Sequence, residues 1–400
     1  MKVISKLGIA AAVVTSVAAS AVYAGEIRIG ATMRMISENG QKYGQMMQDE
    51  FDAINAAGGI NGHTIHLTLL NDECKSDKGV ANANKFAYQD NVHLVIGSTC
   101  SSVSLPIVDV TAQAGVAQII PHSTNHMITQ KGSEWVFRVP ISARYYKGVV
   151  AKYIGESIGT KVAYVFASDA AAVSDAEGLK EQMAAQFGVE PAYWAQVQEK
   201  EIDFRSHMLK IKALDVDALF IAALQEPMAR ALVQSYEVGI PEDVNRVANS
   251  VASNAPVPGM AGDAIKGVFY TAAYSDSDDR PIAQEFNAMV KERYGIEKVD
   301  HDFSQAWDLI RIVEIALNSA DLQLTDDSLA ADRTAIRDAI AGVQNYEGLA
   351  SGPISFCADP TPECRDGNRT VVLIGYEEGG ADFKVGILDR VTMPIDFGLE

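Results

Sequence analysis

Serine and threonine hydroxyls crowd a turn between a buried-looking strand and a helix. The segment 95–102 reads VIGSTCSS, and Pro106 falls in the first turns of the helix that follows. The first backbone N–H groups of a helix have no partner within it, and the helix dipole places partial positive charge there. Such a turn, which includes Thr99 and Ser101, suits a carboxylate or a phosphate. Ordinary capping of a helix by serine explains the same residues equally well, so both interpretations stay open at this point.

A second hydroxyl-rich turn follows another strand. Residues 119–125 read IIPHSTN, which puts Ser123 and Thr124 at the tip of the turn. Because ligands of open α/β sheets bind outside the carboxyl ends of the strands, the two turns are expected to converge on one ligand head group. His122 and His126 lie four residues apart, but no acidic residue stands beside them in the sequence. We expect them to be ordinary loop histidines.

No catalytic motif accompanies these turns. The sequence contains no GxSxG elbow, no GxxxxGK[ST] loop, no GxGxxG fingerprint and no HExxH helix. Asp and Glu are plentiful, but most fall on predicted helix faces, and nothing assembles a nucleophile with a base. The sequence therefore predicts a protein that is not an enzyme and has neither a cofactor nor a metal site.

The chain has four cysteines, Cys74, Cys100, Cys357 and Cys364. An even number in an exported chain indicates two disulfides, for which three pairings exist. The local pairing, Cys74–Cys100 with Cys357–Cys364, is favoured. Neither CxxC spacing nor a clustered histidine points to zinc instead.

The N-terminal segment is typical of a secretory signal peptide. Lys2 and Lys6 precede an apolar, Ala-rich run that ends in Val22-Tyr23-Ala24, with small residues at the −3 and −1 positions of a cleavage site. We expect cleavage after Ala24 and a mature protein in the periplasm. The formal net charge of −19 argues against nucleic acid and anionic membrane surfaces as partners.

Short apolar strands alternate with helices along the chain, which predicts parallel sheets covered on both faces and joined by right-handed crossovers. One sheet cannot easily hold this many strands, and a new series starts near residue 161. We therefore expect an α/β protein with two doubly wound lobes and a ligand cleft between them. The predicted division is residues 1–24 as signal peptide, 25–143 plus 273–349 as lobe 1, and 144–272 plus 350–400 as lobe 2.

Six motifs in order resemble the leucine/isoleucine/valine-type periplasmic binding proteins of branched-chain amino-acid ABC transporters. The resemblance runs over most of the chain after residue 24. It is carried by INAAGGING at 54–62, NDEC at 71–74, IG and CSS within 96–102, PHSTN at 121–125, Phe137-Arg138, and AGDA at 261–264. The family implies a type I periplasmic binding fold with three hinge crossings, and delivery of the bound ligand to a membrane permease. It also implies the Cys74–Cys100 disulfide, whereas Cys357–Cys364 resembles an added structural clip.

The resemblance carries over ligand contacts in the first lobe. Ser101 matches the serine that holds the ligand carboxylate, and Thr124 matches a threonine that touches both carboxylate and ammonium. Ser123 offers its backbone beside it, and Tyr43 matches a tyrosine that lines the side-chain pocket. Thr99 completes the hydroxyl turn.

The second lobe departs from the family pattern. Asp175, in the segment VSDAEGL at 173–179, replaces a tyrosine and is expected in a loop at the mouth of the cleft. Ser250 lies near the position at which leucine-binding members of the family carry the acid that pairs with the ligand ammonium. The aromatic residue that would cover the ligand near Leu224 is missing. If Asp175 reaches the ammonium, an amino acid fits; otherwise an aromatic or aliphatic carboxylic acid does.

The predicted function is that of a monomeric periplasmic protein that binds a small carboxylate, an amino acid of the branched-chain or a related type, and presents it to a membrane ABC permease. The alternatives are an aromatic or aliphatic acid as the ligand, or a sensor of the same fold that feeds a regulator.

Overall fold

Fourteen strands and thirteen α-helices alternate along the described residues, which in this computed structural model are 25–254, 256–349, 352–380 and 382–393. The predicted signal peptide, residues 1–24, lies outside them. The strands are β1 (Glu26–Met33), β2 (Thr64–Asn71), β3 (Leu94–Gly97), β4 (Ala117–Ile120), β5 (Val136–Arg138), β6 (Val162–Ala167), β7 (Tyr193–Val197), β8 (Ala218–Ala222), β9 (Asn245–Ala248), β10 (Phe269–Ala272), β11 (Tyr346–Glu347), β12 (Pro353–Ile354), β13 (Thr370–Glu378) and β14 (Lys384–Thr392). The helices are α1 (Glu38–Ala56), α2 (Ser76–Tyr88), α3 (Ser101–Ala114), α4 (Met127–Gln130), α5 (Ala143–Ser157), α6 (Ala170–Phe187), α7 (Arg205–Lys212), α8 (Gln225–Glu237), α9 (Pro256–Ala261), α10 (Pro281–Tyr294), α11 (His301–Ser319), α12 (Leu329–Ala341) and α13 (Pro362–Arg365).

The first sheet has the strand order β2-β1-β3-β4-β5, and all its strands are parallel. Its short inner strands β3 and β4 are buried along their whole length, as strands covered by helices on both faces must be. One continuous apolar core joins this sheet to α1, α10, α11 and α12. We call this unit the first lobe.

The second sheet has the order β14-β13-β10-β9-β8-β6-β7. Strands β6 to β10 are parallel, whereas β13 runs antiparallel to β10 and β14 antiparallel to β13. A hairpin needs no crossover helix, so the last two strands add to the edge directly. The predicted α/β fold of two lobes is confirmed, with this antiparallel edge as an addition. We call this unit, which has its own core, the second lobe.

The chain passes between the lobes three times, after β5, after β10 and before β13. A small apolar cluster packs these passages together, and it includes Ile141, Tyr145, Ala273 and Val371. The lobe boundaries expected at residues 143, 272 and 349 stay a prediction. Phe356, which follows β12, packs in the core of the first lobe.

Cys357 and Cys364 form the second predicted disulfide, with a Cα–Cα distance of 4.7 Å. The clip holds the short helix α13 against the edge of the first sheet, where the buried guanidinium of Arg365 stacks on Phe137 at 4.5 Å. Directly after it, Asp366 pairs with Arg138 at 2.5 Å, and both side chains are almost fully buried. The clip thus fixes one counter-charge for an arginine at the end of β5.

Helices of the described part of the chain are too short or too polar to span a bilayer.

Candidate functional site

The two hydroxyl-rich turns lie side by side at the carboxyl edge of the first sheet. Helix α3 begins at Ser101, and Ser101 Oγ accepts a hydrogen bond of 3.3 Å from the backbone amide of Asn125 in the second turn. Cys100, immediately before the helix, is disulfide-bonded to Cys74 with a Cα–Cα distance of 5.6 Å. The disulfide therefore anchors the start of α3 to the end of β2, as the resemblance implied.

The turn after β3 approaches β1 closely. Gly97 has a φ of +144°, and a Cβ there would lie 2.4 Å from the carbonyl oxygen of Thr32. Only glycine fits this position, because both the backbone conformation and the space exclude a side chain. Thr99 Oγ1 then accepts a hydrogen bond of 3.1 Å from the amide of Arg34, which ties the turn to the end of β1.

Ser123 is buried and its hydroxyl is engaged inside the lobe. Its Oγ donates to the carbonyl oxygen of Ser98 at 2.9 Å and lies 2.8 Å from Ser104 Oγ. Ser104 Oγ in turn accepts from the amide of Ser98. The side chain therefore braces the two turns, and a ligand contact by the Ser123 backbone stays a prediction. Next to it, half-buried Thr124 accepts a hydrogen bond of 2.8 Å through its carbonyl oxygen from the amide of Ala143, at the first passage between the lobes.

Tyr43 lies in α1, is only 3% exposed, and packs edge-on against Phe303. Its hydroxyl has no hydrogen-bond partner within the described residues. Burial raises the pKa of this phenol well above its usual range, and the charges of Asp302 and Asp300 add to the effect. Buried polar atoms without a partner are rare in native structures, so this hydroxyl is a candidate contact for a ligand or an ordered water.

Next to Tyr43 the structure assembles a cluster that the sequence analysis missed. His122 Nδ1 lies 2.8 Å from Asp302 Oδ1, and His122 Nε2 lies 3.0 Å from His301 Nε2. His301 Nδ1 lies 2.9 Å from the hydroxyl of Ser253 in the second lobe. His122 thus has an acidic partner that does not stand beside it in the sequence, because α11 brings Asp302 to it from far along the chain.

Burial and neighbouring charges shift the pKa values of the groups in this cluster in opposite directions. Burial alone would lower the pKa of His122, but the Asp302 charge raises it above its usual value. Burial lowers the pKa of His301 to about 4. Burial together with the Asp302 charge raises the pKa of Asp300 to about 7. Desolvation would raise the pKa of Asp302, yet the charge of His122 holds it well below its usual range.

Asp175 is not in a loop, which corrects the sequence expectation. It lies inside α6, is 8% exposed, and its Oδ1 lies 2.9 Å from Lys147 Nζ of α5. Its Oδ2 accepts a hydrogen bond of 3.0 Å from Asn249 Nδ2. Asp169 starts α6 earlier than expected by accepting hydrogen bonds from the amides of Ala171 and Ala172. The Asp175 charge is thus already matched by a buried lysine.

The other two predicted residues of the second lobe flank the carboxyl edge of its sheet. Ser250 begins a 3-10 helix directly after β9 and accepts a hydrogen bond from Ser253 through its carbonyl oxygen. Leu224 immediately precedes α8 and is 41% exposed. Asn249, beside Ser250, is 2% exposed, and its Oδ1 has no hydrogen-bond partner among the described residues. Asn249 is therefore the stronger candidate acceptor at this position.

A continuous series of contacts joins the predicted sites of the two lobes. It runs from Tyr43, which packs on Phe303 next to Asp302, to His122 and His301, and then through Ser253 to the turn of Ser250. A second contact between the lobes links His126 Nδ1 to Ser174 Oγ at 3.4 Å. The run Asp300-His301-Asp302 before an apolar helix was the sequence signal for this cluster, with Asp300 as the helix cap.

Comparisons with known proteins agree with this architecture. The family model described as "Periplasmic binding protein" matches residues 27–364. An "Amino acid binding protein" of Pseudomonas aeruginosa is 29% identical over 258 residues, which cover 62% of this chain and 67% of that protein.

Solved structures share the fold. The substrate-binding protein of a branched-chain amino acid transporter from Streptococcus pneumoniae, in complex with isoleucine, superposes with a TM-score of 0.75 at 19% identity, covering 92% of this chain and 99% of that one. A solute-binding protein of an ABC transporter from Rhodopseudomonas palustris, in complex with 3,4-dihydroxybenzoic acid, also gives a TM-score of 0.75 at 19% identity, covering 92% and 97%. At this identity the likeness shows the fold. The family model, which spans most of the sequence, shows that this chain belongs to the periplasmic binding protein family.

Proposed function

We propose that this protein captures a small carboxylate in the cleft between its lobes and delivers it to a membrane ABC permease. Membership of a family of binding proteins implies an extracytoplasmic location and confirms the prediction that the chain is not an enzyme. Export through a signal peptide cleaved after Ala24, a periplasmic location and a monomeric state are parts of the proposal. The two disulfides suit an oxidising compartment.

The observation that carries the proposal is the start of α3. The N-terminus of α3, a helix of 14 residues, lies at the turn where Ser101 contacts the loop that holds Thr124. The free amides of a helix start and its dipole favour an anion, and hydroxyls beside them add hydrogen bonds to the charged group. The Cys74–Cys100 disulfide holds this arrangement in place before any ligand arrives, which reduces the entropy lost on binding.

An amino acid is the first ligand class that we propose. The relative from Pseudomonas aeruginosa carries the name of an amino acid binding protein. Two acidic groups are candidates: Asp302 lies 2.8 Å from His122, in the loop that also holds Thr124, and Asp169, at the start of α6, has a buried Oδ2 without a hydrogen-bond partner in the described part of the chain. Either carboxylate offers a partner to a ligand ammonium, the role first predicted for Asp175.

The pairing of Asp175 with Lys147 favours a second class, an aromatic or aliphatic acid without an ammonium group. A carboxylate that is already matched by a lysine attracts a ligand ammonium much less than an unpaired one does, because the lysine repels it. The Rhodopseudomonas palustris structure, which holds 3,4-dihydroxybenzoic acid, shows that the fold accommodates such a ligand.

A thermal-shift screen with matched ligand pairs tests the proposal and separates the two classes. Each pair differs only in the amino group: leucine with 4-methylpentanoate, and phenylalanine with 3-phenylpropanoate; benzoate and 4-hydroxybenzoate complete the panel. A rise in melting temperature with the amino acids alone supports the first class, and a rise with the acids alone supports the second. If neutral amides of the same compounds stabilise the protein as well as the carboxylates do, the proposed carboxylate site is wrong.

A further inference from the structure

Two histidines of the first lobe meet at the junction of the lobes with their ring nitrogens in contact. His122 follows β4 and His301 opens α11, yet their Nε2 atoms lie 3.0 Å apart and their ring centroids 4.7 Å apart. Two lone pairs, or two N–H groups, repel each other at this distance, so the contact is favourable when one proton lies between the nitrogens. The number of protons on the pair therefore decides whether the contact holds.

The hydrogen bonds of Ser253 place a proton on Nδ1 of His301. A serine hydroxyl has one proton to donate, and Ser253 Oγ donates it to the carbonyl oxygen of Ser250 at 2.8 Å. The 2.9 Å contact between Ser253 Oγ and His301 Nδ1 is then a hydrogen bond that the histidine donates. Because Ser253 follows β9 of the second lobe, this bond crosses between the lobes. A neutral His301 consequently has a lone pair on Nε2.

Asp302 stabilises the charged form of His122. Its Oδ1 lies 2.8 Å from His122 Nδ1, and an ionised carboxylate only accepts, so this nitrogen carries a proton. Burial alone would lower the pKa of His122, but the Asp302 charge raises it above its usual value. The proton between the two rings is then the Nε2 proton of a His122 imidazolium, which donates to the lone pair of His301 Nε2. The pair thus carries a single positive charge, which Asp302 balances.

We propose that His122 and His301 form a clasp between the lobes, which one shared proton closes and a second proton, on His301, opens. The clasp rests on the proposed function, because the cleft that it closes is the proposed ligand site. A proton on His301 Nε2 would turn two N–H groups and two positive rings toward each other. His301 is only 4% exposed, so its charged ring reaches water only by turning away from His122 or by parting of the lobes. Either movement breaks the hydrogen bond to Ser253.

Further titratable or charged groups face the clasp from α11, from the segment after β1 and from α1. Burial raises the pKa of Asp300 to about 7, so this group takes up a proton in mild acid and opposes the opening of the clasp. The charge of Arg34 lowers the pKa of His122 and so limits the effect of the neighbouring carboxylate. The phenol of Tyr43 stays neutral, because burial raises its pKa well above the usual range. The 3-10 helix of Ser253 carries no charged side chain.

His126, in the same loop as His122, makes a second contact between the lobes, with its Nδ1 at 3.4 Å from Ser174 Oγ. Burial, together with the charge of Arg138, lowers the pKa of His126, so acid weakens this contact as well. The pH dependence of the wild type therefore combines several groups. A comparison with a variant that lacks only the titration of His301 isolates the clasp, because all the other groups are then shared.

Nitrogen-15 NMR of the histidine rings in the ligand-free mature protein tests the proton positions. At pH 6.5 we expect His122 to carry protons on both ring nitrogens and His301 to carry one on Nδ1 alone. His301 should take up its second proton at about pH 4. The loss of one set of signals in His122→Gln, and of another in His301→Gln, assigns the two rings. A His301 that titrates near its usual value of 6.5, or whose neutral form carries its proton on Nε2, overturns the proposal.

Spin labels on the two lobes measure the opening directly. Cysteines that replace Ile36, 55% exposed after β1, and Met260, 46% exposed in α9, can be labelled selectively, because all four native cysteines are in disulfides. Pulsed electron paramagnetic resonance gives the ratio of short to long distances between the lobes at pH 7 and pH 5. This ratio should fall roughly 20-fold more in the otherwise wild-type protein than in His301→Gln, as a pKa of 6.5 in the open form and about 4 in the closed form requires. His207→Gln is the matched control and should follow the wild type.

Ser253→Ala provides a second variant if His301→Gln fails to fold, with folding checked by circular dichroism. It removes the acceptor in the second lobe and leaves both histidines in place, so the closed population should fall at pH 7 and depend less on pH. The proposal is overturned if the wild type shows no closed population at pH 7, or if the folded variants keep its pH profile. Both measurements are made without ligand, so a failure of every panel acid to bind would overturn the carboxylate proposal alone.

Discussion

Lys147 Nζ lies 2.9 Å from Asp175 Oδ1, and both residues are more than nine-tenths buried beneath the second lobe's edge of the cleft. Asn249 adds a hydrogen bond to the other carboxylate oxygen. The pair links α5, which follows the first passage between the lobes, to α6, which follows β6. Asp175 thus has a structural partner, which changes what its substitution should do.

Asp175→Asn should destabilise the protein by about 3–5 kcal/mol, because it leaves Lys147 buried without a counter-charge. Urea unfolding followed by circular dichroism measures the loss. Glu177→Gln makes the same chemical change on the exposed face of α6 and should leave stability within about 0.5 kcal/mol of the wild type.

Adding Lys147→Met to Asp175→Asn should recover most of the lost stability, because the uncompensated charge is then gone and the aliphatic stem still fills the space. If Asp175→Asn alone unfolds at the same urea concentration as the wild type, the ion pair does not stabilise the folded protein. Asp175 would then be available to a ligand ammonium, as the sequence analysis predicted.

Local features of the site were predictable from the sequence because neighbouring residues create them. The turn at Thr99 and Ser101 follows from a buried strand, a glycine and a helix start within a few positions. The disulfides followed from the cysteine count and their separations of 26 and 7 residues. The alternation of strands and helices was enough to predict two lobes.

Contacts between distant segments were not predictable from local pattern. His122 and His301 are 179 residues apart and meet only because α11 packs in the core of the first lobe. Asp175 looked like a loop residue because the Ala-rich run before it has little apolar periodicity, although Asp169 is a good N-cap. The antiparallel strands β13 and β14 were not predicted, because no helix separates them in the sequence and the alternation of strands and helices does not mark them.

Ser101→Ala and Thr124→Ala should each weaken binding of the most stabilising panel ligand by about 1.5–3 kcal/mol, or one to two decades in Kd. Each removes one hydrogen bond to a charged carboxylate. Isothermal calorimetry measures the change. Ser102→Ala, next to Ser101 but exposed, should bind as the wild type does. Unchanged affinity in both Ser101→Ala and Thr124→Ala would show that these hydroxyls do not bind the ligand.

The two disulfides should differ in what their loss does to ligand binding. Replacing Cys74 and Cys100 by alanine should cost roughly 3.5 kcal/mol of unfolding free energy on the loop-entropy model, and the Cys357–Cys364 pair roughly 2.5 kcal/mol. Guanidinium unfolding measures both. Only the first replacement should also weaken ligand binding, because Cys100 directly precedes α3. Equal effects of both replacements on ligand affinity would argue against a role of the Cys74–Cys100 disulfide in positioning the start of α3.

His93 should make the protein less stable in acid. It is 1% exposed, its Nδ1 accepts a hydrogen bond of 2.9 Å from the amide of Arg28, and burial together with the Arg28 charge lowers its pKa to about 4. Between pH 6.5 and 4 this histidine binds a proton in the unfolded chain but not in the folded state. The free energy of unfolding therefore falls as the pH falls through this window.

In His93→Gln the fall in unfolding free energy from pH 6.5 to pH 4 should shrink by roughly 2–3 kcal/mol, since each pKa unit is worth about 1.4 kcal/mol. Chemical unfolding at a series of pH values measures the slope. His207→Gln is the control, because His207 lies in a partly exposed helix of the other lobe. A slope in His93→Gln identical to that of the wild type would contradict this assignment.

A crystal structure of the protein with its most stabilising panel acid tests the central claim most directly. We predict that the ligand carboxylate lies at the start of α3, within hydrogen-bond distance of the hydroxyls of Ser101 and Thr124 and of the first helix amides. A carboxylate bound instead against Lys147 in the second lobe, or outside the cleft, would contradict the account.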